Sequence, residues 1–240
     1  MSKISIIIPV LNEAATIKNL LNYLIENSTK ENVEEIIVVD GGSDDNTKSI
    51  VLDTSHQWRD TRTNIRLIDC QKGRAKQMNH GAKHAIGDVL YFLHADSFPP
   101  KNYDFHILSE VKKGNKAGCF RMRFNSKHWW LKLAGCLTAL PFRVSRGGDQ
   151  SQFITRKLFN KIEGYDETYE IYEDNVLIKR LYALNEFVVI PKWLTTSARR
   201  YHKHGVWKTQ FHFWRIHLKS RLGASPSELK TYYQENLVNT

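Results

Sequence analysis

The chain has 240 residues, of which 41% are hydrophobic and 25% charged, so it is long enough to form one large domain. This composition excludes disorder over most of the chain, and the 13 glycines follow no collagen-like repeat. The 35 Lys and Arg residues against 25 Asp and Glu residues give a net charge of +10, which fits nucleic acid, anionic lipid or a phosphate-bearing substrate.

The cysteines and the N-terminus indicate the compartment. Cys70, Cys119 and Cys136 are far apart and odd in number, which excludes a zinc motif or a disulfide framework and favours a reducing cytosol. The apolar start contains Pro9 and lacks a signal-peptide cleavage site, so it is interpreted as a buried strand. No segment reaches the roughly 18–20 apolar residues of a membrane span. We therefore expect a cytoplasmic protein.

Strand and helix patterns alternate over the first hundred residues. Buried strands are predicted at Ile4–Val10, Glu35–Val39, Ile65–Ile68 and Asp88–Leu93. Helices with an apolar face are predicted at Ile17–Ile25, Asp45–Asp53 and Ala75–Ala85. This order predicts a mostly parallel sheet with helices on both faces.

The second half departs from this alternation. The pattern at Lys116–Phe124 predicts an antiparallel or edge strand. Two short strands are expected at Gln152–Thr155 and Phe187–Ile190. Helices are expected at His128–Leu140, Val176–Leu184 and Val206–Arg221. We expect one domain of residues 1–240, with lobes of about 1–100 and 101–205 and a basic, aromatic helix within 206–240.

Polar residues follow each of the predicted parallel strands. Since ligands of such sheets bind beyond the carboxyl ends of the strands, these residues should meet along one edge. A single carboxylate after a strand is more often a helix cap or a turn residue, but four polar groups in equivalent places indicate a site. The groups are Asn12-Glu13, Asp40, Gly73-Arg74 and His94-Ala95-Asp96.

The chemistry of this edge suits a diphosphate. Gly73-Arg74 directly precedes a predicted helix. The free N–H groups of that helix and the guanidinium of Arg74 can bind phosphate, while the P-loop and GxGxxG motifs are missing. Asp96 could hold a divalent cation that bridges a diphosphate, and His94 could join it, although a packed histidine is the commoner role. Asp174, after Glu173, could be a general base, although acids at a helix start are also favoured by the helix dipole.

The chain resembles the family 2 glycosyltransferases of GT-A fold in SIIIPVLNEA, IIVVDGGSDDNT, GRAKQMNHGA, VLYFLHADS, GGDQSQFI and YEDNVLIKRL. The pieces HADS, GDQ and TTSARRY are most similar to the bacterial subfamily called radical-SAM/selenodomain-associated transferase 2. The resemblance covers Ile4–Tyr201 and, more loosely, the chain up to Leu222. It implies an α/β fold with a mostly parallel central sheet, helices on both faces, and a smaller antiparallel element on the acceptor side.

The resemblance also implies an activity and a set of site residues. The implied enzyme is an inverting transferase that moves a sugar from a nucleoside-diphosphate sugar, most often a UDP-sugar, to an acceptor hydroxyl with Mn²⁺ or Mg²⁺. The catalytic positions are Asp174 and Glu173. The donor positions are Pro9, Asn12, Glu13, Asp40, Gly73, Arg74, Asn79, Ala95 and Asp96. The acceptor positions are Gly148, Asp149 and Gln150. The metal ligand is Asp96, with His94, which replaces the usual first acid of the motif, and His202 as further candidates.

Three other functions stay open. A sugar-1-phosphate nucleotidyltransferase is disfavoured because Ile4–Glu13 lacks the glycines of its N-terminal loop. A non-catalytic nucleotide-sugar- or lipid-binding module would keep the donor site without turnover. A nucleic-acid binder is indicated by charge alone, so no nucleic acid is expected.

An apolar stripe lies within the basic C-terminal helix. Trp207, Phe211, Trp214 and Leu218 share one side of this helix among lysines and arginines. The stripe predicts either packing on the catalytic core or peripheral contact with an anionic membrane at its inner face, near a lipid-linked acceptor.

Overall fold

The computed structural model describes residues 2–29, 31–59, 63–140, 142–147 and 150–238. Within these residues, eight strands form one sheet in the order β3-β2-β1-β4-β7-β6-β8-β5. The predicted acceptor residues Gly148 and Asp149 lie outside the described residues. No helix among the described residues combines the length and apolar character that crossing a bilayer requires.

The first four strands pair in parallel, as predicted. They are β1 (Ile4–Val10), β2 (Val33–Asp40), β3 (Asn64–Asp69) and β4 (Val89–Phe92). The connecting helices are α1 (Ile17–Glu26), α2 (Thr47–Gln57) and α3 (Arg74–His84). Every residue of β1 is buried because helices cover both faces of the sheet, so its sequence is almost continuously apolar.

The two faces of the sheet bury separate apolar clusters. Ile4, Ile6 and Ile8 pack on the side of α1 and α2, while Ile7 packs on the side of α3, because side chains alternate along a strand. Each such buried side chain contributes about 1.5–3 kcal/mol relative to an exposed one. This packing holds the carboxyl ends of β1–β4 along one edge.

The remaining strands have mixed directions. They are β5 (Ser97–Phe98), β6 (Ala117–Phe124), β7 (Gln152–Thr155) and β8 (Val188–Thr196). β7 is antiparallel to β4 and β6, β6 is parallel to β8, and β5 is antiparallel to β8. The predicted antiparallel element is therefore present and lies beside the parallel strands.

In this region the antiparallel alternative for β6 is confirmed by its pairing with β7, whereas the edge alternative for β6 and the predicted end of β8 are wrong. β6 is an interior strand between β7 and β8, and Gly118 permits the close approach, since an added Cβ would lie 2.2 Å from the Val188 carbonyl oxygen. β8 continues to Thr196 instead of ending at Ile190. The register with β6 shifts after Ile190, so Pro191 falls in a bulge, where a residue without an N–H group is tolerated.

The second half carries seven of the helices of the described residues. They are α4 (Tyr103–Lys112), α5 (Trp129–Leu137), α6 (Arg156–Lys161), α7 (Glu173–Ala183), α8 (Arg199–His204), α9 (Val206–Arg221) and α10 (Pro226–Tyr233). α9 has the predicted bounds, whereas α5 ends three residues before the predicted Leu140.

Candidate active site

The loops after β1 and β2 are tied together at the edge of the sheet. Asn12 has a left-handed backbone with φ 57°, which asparagine tolerates better than most residues. Its N–H donates to Ser43 Oγ at 2.9 Å, and its Oδ1 accepts from the Asp44 N–H at 3.0 Å. The N–H of Glu13 donates to Thr47 Oγ1 at 2.9 Å. These bonds place the Glu13 side chain beside the end of β2.

Asp40 is a fully buried carboxylate at the end of β2. Its Oδ2 accepts the N–H groups of Gly42 and Ser43, both at 2.9 Å, and lies 3.6 Å from Lys48 Nζ. Burial acts to raise the pKa of Asp40, but the bonds from Ser43 and Gly42 and the charge of Lys48 outweigh it and lower the pKa. Its Oδ1 is buried without a hydrogen-bond partner among the described residues, so it can accept a proton donor of a ligand.

Arg74 links the first half of the chain to α7. Gly73, at φ 140°, directs the chain into α3, and Arg74 is the first residue of that helix. Its Nε lies 2.8 Å from Oε1 of Glu173, whose side chain is fully buried. The sequence predicts a donor-binding role for Arg74 and a catalytic role for Glu173, and the structure brings the two side chains together.

Asp174 lines the larger of two neighbouring cavities. This cavity has a volume of about 530 Å³ and is also lined by Arg74, Tyr172 and many apolar side chains of α5 and α9. The left-handed Tyr172, with φ 71°, precedes α7, and its hydroxyl lies 2.9 Å from Nδ1 of His217 on α9. Asp174 is therefore a carboxylate at the wall of a largely apolar chamber.

Asp96 lines the smaller cavity, which has a volume of about 200 Å³. The same cavity is lined by the cationic side chains of Arg199, Arg200 and Lys203 and by His204. Arg199 Nη2 lies 2.9 Å from Glu13 Oε1, and this hydrogen bond, with the charges of Glu13 and Asp96, raises the pKa of Arg199. One acid among several cations suits an anionic ligand that carries its own metal ion.

A short ladder fixes Asp96 against the start of α8. Ser97 and Phe98 of β5 pair with Thr196 and Thr195 of β8, and the buried hydroxyls of Ser97 and Thr196 lie 2.9 Å apart. The N–H of Ser197 donates to the Asp96 carbonyl at 3.2 Å. This contact holds the acid and the arginine-bearing segment at one place.

The two cavities share a wall. Arg200, Tyr201 and Phe213 line both of them, and the Arg200 guanidinium lies over the Phe213 ring at 5.7 Å. The cavity of Asp96 and the cavity of Asp174 therefore adjoin at these side chains.

The residues around Asp96 offer a divalent cation one carboxylate and no complete set of ligands among the described residues. Among the described residues, no group of three or more His, Cys, Asp or Glu side chains is placed to hold a metal ion. Mg²⁺ and Mn²⁺ commonly use one or two carboxylates together with substrate phosphates, and Asp96 meets that need. His94 is half-buried two residues before Asp96. His202 is exposed, whereas His204 lines the cavity of Asp96.

The other predicted site residues hold the backbone around the site. Pro9 and Ala95 are buried. Asn79 Nδ2 donates to the Tyr165 carbonyl and to Glu167 Oε1, both at 2.9 Å, which fixes the loop before α7. The remaining one, Gln150, is buried, and its Nε2 donates to the Phe120 carbonyl at 3.2 Å.

Three contacts could not be predicted from the sequence. They are the ion pairs Arg74–Glu173 and Arg199–Glu13 and the contact between the Tyr172 hydroxyl and the His217 ring. The partners of Glu13 and Tyr172 lie 186 and 45 residues away along the chain. The consecutive arginines of the TTSARRY segment were the available signal for Arg199, but their partner could not be inferred from spacing.

The family follows from a direct comparison. The profile described as Glycosyl transferase family 2 matches residues 5–181, which is more than half of the chain. The chain belongs to glycosyl transferase family 2. The match includes β1–β7, Asp40, Arg74, Asp96 and Asp174.

Curated relatives in this family are distant and longer. A probable glycosyltransferase of Bacillus subtilis, YdaM, is 26% identical over 200 residues, which cover 77% of this chain and 47% of the relative. Undecaprenyl-phosphate 4-deoxy-4-formamido-L-arabinose transferase of Proteus mirabilis is 23% identical over 201 residues, covering 83% of this chain and 58% of the relative. The chain thus spans about half the length of these relatives.

Solved structures show the same fold. Mannosyltransferase PcManGT of Pyrobaculum calidifontis, in complex with GDP-Man and Mn²⁺, has a TM-score of 0.64 and 19% identity over 90% of this chain and 60% of its own. S. aureus TarS 1-349 in complex with UDP also has a TM-score of 0.64, with 18% identity over 82% of this chain and 60% of its own. The predicted GT-A-type α/β fold is therefore confirmed.

Proposed function

We propose that the protein is an inverting glycosyltransferase that moves a sugar from a nucleoside-diphosphate sugar to an acceptor hydroxyl in one displacement. The observation that carries this proposal is the pair of adjoining cavities, one with Asp96 among cations and the other with Asp174 at its wall. A donor whose diphosphate lies in the first cavity would present its sugar toward the second.

The donor would bind along the edge of β1, β2 and β4. The unpartnered Oδ1 of Asp40 suits an N–H or O–H group of the nucleoside, and Arg199 and Lys203 suit the diphosphate. The structural neighbours hold GDP-Man in one case and UDP in the other, and we propose a UDP-sugar on the resemblance to the family. Asp96, with His94 or His204, would hold Mn²⁺ or Mg²⁺, which supplies charge neutralisation to the leaving diphosphate when bound.

The acceptor would enter the larger cavity. Asp174 would accept the proton of its hydroxyl as the oxygen attacks the anomeric carbon, and the diphosphate would leave from the opposite side. Attack and departure on opposite faces invert the anomeric configuration. Glu173 does not line this cavity, so its role would be to hold Arg74 at the entrance to the site.

The larger cavity supports a lipid-linked acceptor. Its wall includes Phe124, Leu137, Leu140 and Phe142, which suit hydrocarbon better than a free polar sugar. The named substrate of the Proteus mirabilis relative is an undecaprenyl phosphate. Membership of the selenodomain-associated subfamily and a cytoplasmic location remain predictions from the sequence.

Replacing the base tests the reaction. Asp174→Asn should lower UDP release from a UDP-sugar by at least about 100-fold, with a polyprenyl-linked sugar that carries free hydroxyls as acceptor in detergent, because a general base contributes about 10²–10⁴-fold. Donor affinity, measured by calorimetry, should stay unchanged. Asp53→Asn on the exposed side of α2 is the matched control. Turnover within threefold of the wild type would contradict the assignment, and donor binding without turnover in the wild type would indicate a non-catalytic module.

Replacing Asp96 tests the metal site separately. Asp96→Ala should abolish the increase in UDP-sugar affinity that Mn²⁺ produces, because the cation loses its protein carboxylate. Calorimetric titrations with and without Mn²⁺ measure this difference, and GDP- and dTDP-sugars in the same titration test the nucleotide. An unchanged manganese dependence in Asp96→Ala would remove Asp96 from the ligand set.

A further inference from the structure

Two segments of the second half contain no acidic residue. Residues 111–148 and 187–227 together hold 17 of the 35 Lys and Arg residues and none of the 25 Asp and Glu residues. These segments therefore carry a formal charge of +17, and the rest of the chain carries −7. The net charge of the protein is thus the difference between two strongly basic segments and a mildly acidic remainder of the chain.

The same segments expose most of the large apolar side chains. Of the fifteen large hydrophobic residues that are exposed among the described residues, ten lie in these two segments. Hydrophobic side chains exposed singly are ordinary on a protein surface, but a concentration of them indicates an interaction site. Exposed apolar groups and an excess of positive charge therefore occur in the same two segments.

Helix α9 presents its apolar stripe outward. It packs inward through Thr209 and Ile216, both buried. The predicted stripe of Trp207, Phe211, Trp214 and Leu218 lies on the other side, and each of its side chains is between 50% and 56% exposed. The sequence left two alternatives for this helix, packing on the core or contact with a membrane. The structure shows that the helix packs by a different side and leaves the stripe uncovered.

Helix α5 continues this surface. It exposes Trp129, Leu133 and Leu137, which recur every four residues. The stripes of the two helices meet at the rings of Trp129 and Trp207, whose centroids are 5.9 Å apart, and Trp130 contacts both Trp207 and Trp214. We call this surface the tryptophan face. It consists of Trp129, Leu133, Leu137, Trp207, Phe211, Trp214 and Leu218.

We infer that the tryptophan face docks on an anionic lipid bilayer. Tryptophan is favoured at the membrane interface, where its ring is buried and its N–H remains near water. Lys132 and Lys208, on the same two helices, are also exposed, and cations near an anionic leaflet are attracted to it. A second copy of the chain is a poorer partner, because both copies would bring the exposed Lys132 and Lys208 to the contact.

The larger cavity borders this face. Leu137 and Trp214 belong to the tryptophan face and also line the cavity of Asp174. Docking would therefore bring the cavity against the bilayer. A lipid-borne acceptor could then reach Asp174 from the membrane surface, a consequence that rests on the proposed function, whereas the docking itself does not.

Vesicle binding by the full chain tests the docking. The protein should co-sediment with vesicles of phosphatidylglycerol and phosphatidylcholine in equal parts at least tenfold more strongly than with phosphatidylcholine alone. Added salt should weaken this binding, because it screens the exposed cations. Equal binding to the two kinds of vesicle, or tighter binding to random single-stranded oligonucleotides than to the anionic vesicles, would overturn the inference.

Paired variants locate the surface. Phe211→Ser with Leu218→Ser, and separately Lys132→Glu with Lys208→Glu, should each lower the partition onto anionic vesicles at least tenfold. The matched controls are Leu52→Ser with Ile86→Ser, and Lys157→Glu with Lys161→Glu, which change exposed residues of the same types outside the two segments. Test variants that bind vesicles as the controls do would overturn the inference.

The same samples separate docking from catalysis. UDP-sugar binding by calorimetry should be unchanged in the docking variants, which also shows that they are folded. If the wild type binds vesicles but no nucleotide sugar, the docking stands and the proposed function fails. If it binds the sugar donor but not the vesicles, the docking fails and the proposed function stands.

Discussion

The first half of the chain, residues 2–100, and the second half, residues 101–238, differ in how their charged side chains are distributed. In the first half, the buried carboxylates of Asp40 and Glu35 each have named partners. Glu35 accepts from the Ser5 hydroxyl and the Ile86 N–H, both at 2.7 Å, and pairs with Arg66. In the second half, residues 111–148 and 187–227 hold 17 Lys and Arg residues and no acid, and they also carry most of the exposed aromatic rings. Buried carboxylates with local partners distinguish the first half, and an excess of cations beside exposed rings distinguishes the second.

Two ion pairs join these halves in a reciprocal way. Arg74 of the first half meets Glu173 of the second, and Glu13 of the first half meets Arg199 of the second. Glu173 is fully buried, whereas the Arg199 side chain is 58% exposed. The two contacts should therefore differ in their contribution to stability, although both lie beside the site.

The largest expected difference between the halves concerns their apolar side chains. Ile7→Ala in β1 should lower the free energy of unfolding by about 2–5 kcal/mol, because the deleted atoms come from a fully packed sheet. Leu133→Ala on α5 should change it by less than about 0.5 kcal/mol, because that side chain is 43% exposed. Urea denaturation measures both changes. A loss above about 1 kcal/mol for Leu133→Ala would mean that the tryptophan face is covered in solution.

The ion pairs should give a smaller effect. Arg74→Ala should cost about 1–3 kcal/mol of unfolding free energy, because it leaves the buried Glu173 carboxylate without its cation. Arg199→Ala should cost less than about 1 kcal/mol, as for other exposed pairs. Adding Glu173→Gln to Arg74→Ala should restore part of the lost unfolding free energy, because the buried side chain is then uncharged. Equal costs for the two arginine variants would show that burial of the partner does not distinguish the pairs.

The smallest expected effect is a pH dependence in the second half. Burial, with the charges of Arg221 and Arg143, lowers the pKa of His217 below its usual value. The unfolded chain therefore binds the proton more readily than the folded one. The neutral His217 side chain therefore contributes fully to stability above about pH 6.5. This contribution is lost as the pH falls toward the lowered pKa of His217 in the folded state.

Thermal denaturation between pH 7 and pH 5 measures this dependence. His217→Gln should flatten the fall of the melting temperature with decreasing pH, since it removes the titrating group and leaves Tyr172 a polar neighbour. His56→Gln, at the end of α2, is the control. The same pH slope in His217→Gln and in the wild type would contradict the prediction.

The first half could be predicted well because its signals are local. The buried strands are continuous apolar runs, and their order alone places Asp40, Arg74 and Asp96 on one edge. The second half contains decisive features that depend on distant partners. The interior position of β6 requires the close approach of Gly118 to Val188 of β8. The strand β8 accommodates Pro191 in a bulge. No pattern near either residue indicates these pairings.

The site shows the same division. The candidate acids Asp96 and Asp174 could be identified from their motifs. Their surroundings could not, because Arg199 comes from a helix start more than a hundred residues after Asp96, and the wall of the Asp174 cavity comes from α5 and α9. Exposure of the α9 stripe likewise depends on which side of the helix finds a partner.

The pairing of β5 with β8 has a consequence for how this sequence can change. Only four residues form it, and side chains on adjacent positions of a strand point to opposite faces. A shift of one residue would turn the hydroxyl of Thr196 away from Ser97 and move Arg199 relative to Asp96. An insertion or deletion between Thr196 and Arg199 would keep this pairing but displace Arg199 from Asp96. It should be tolerated far less than one in the loop between α9 and α10, where no cavity residue follows until Tyr233.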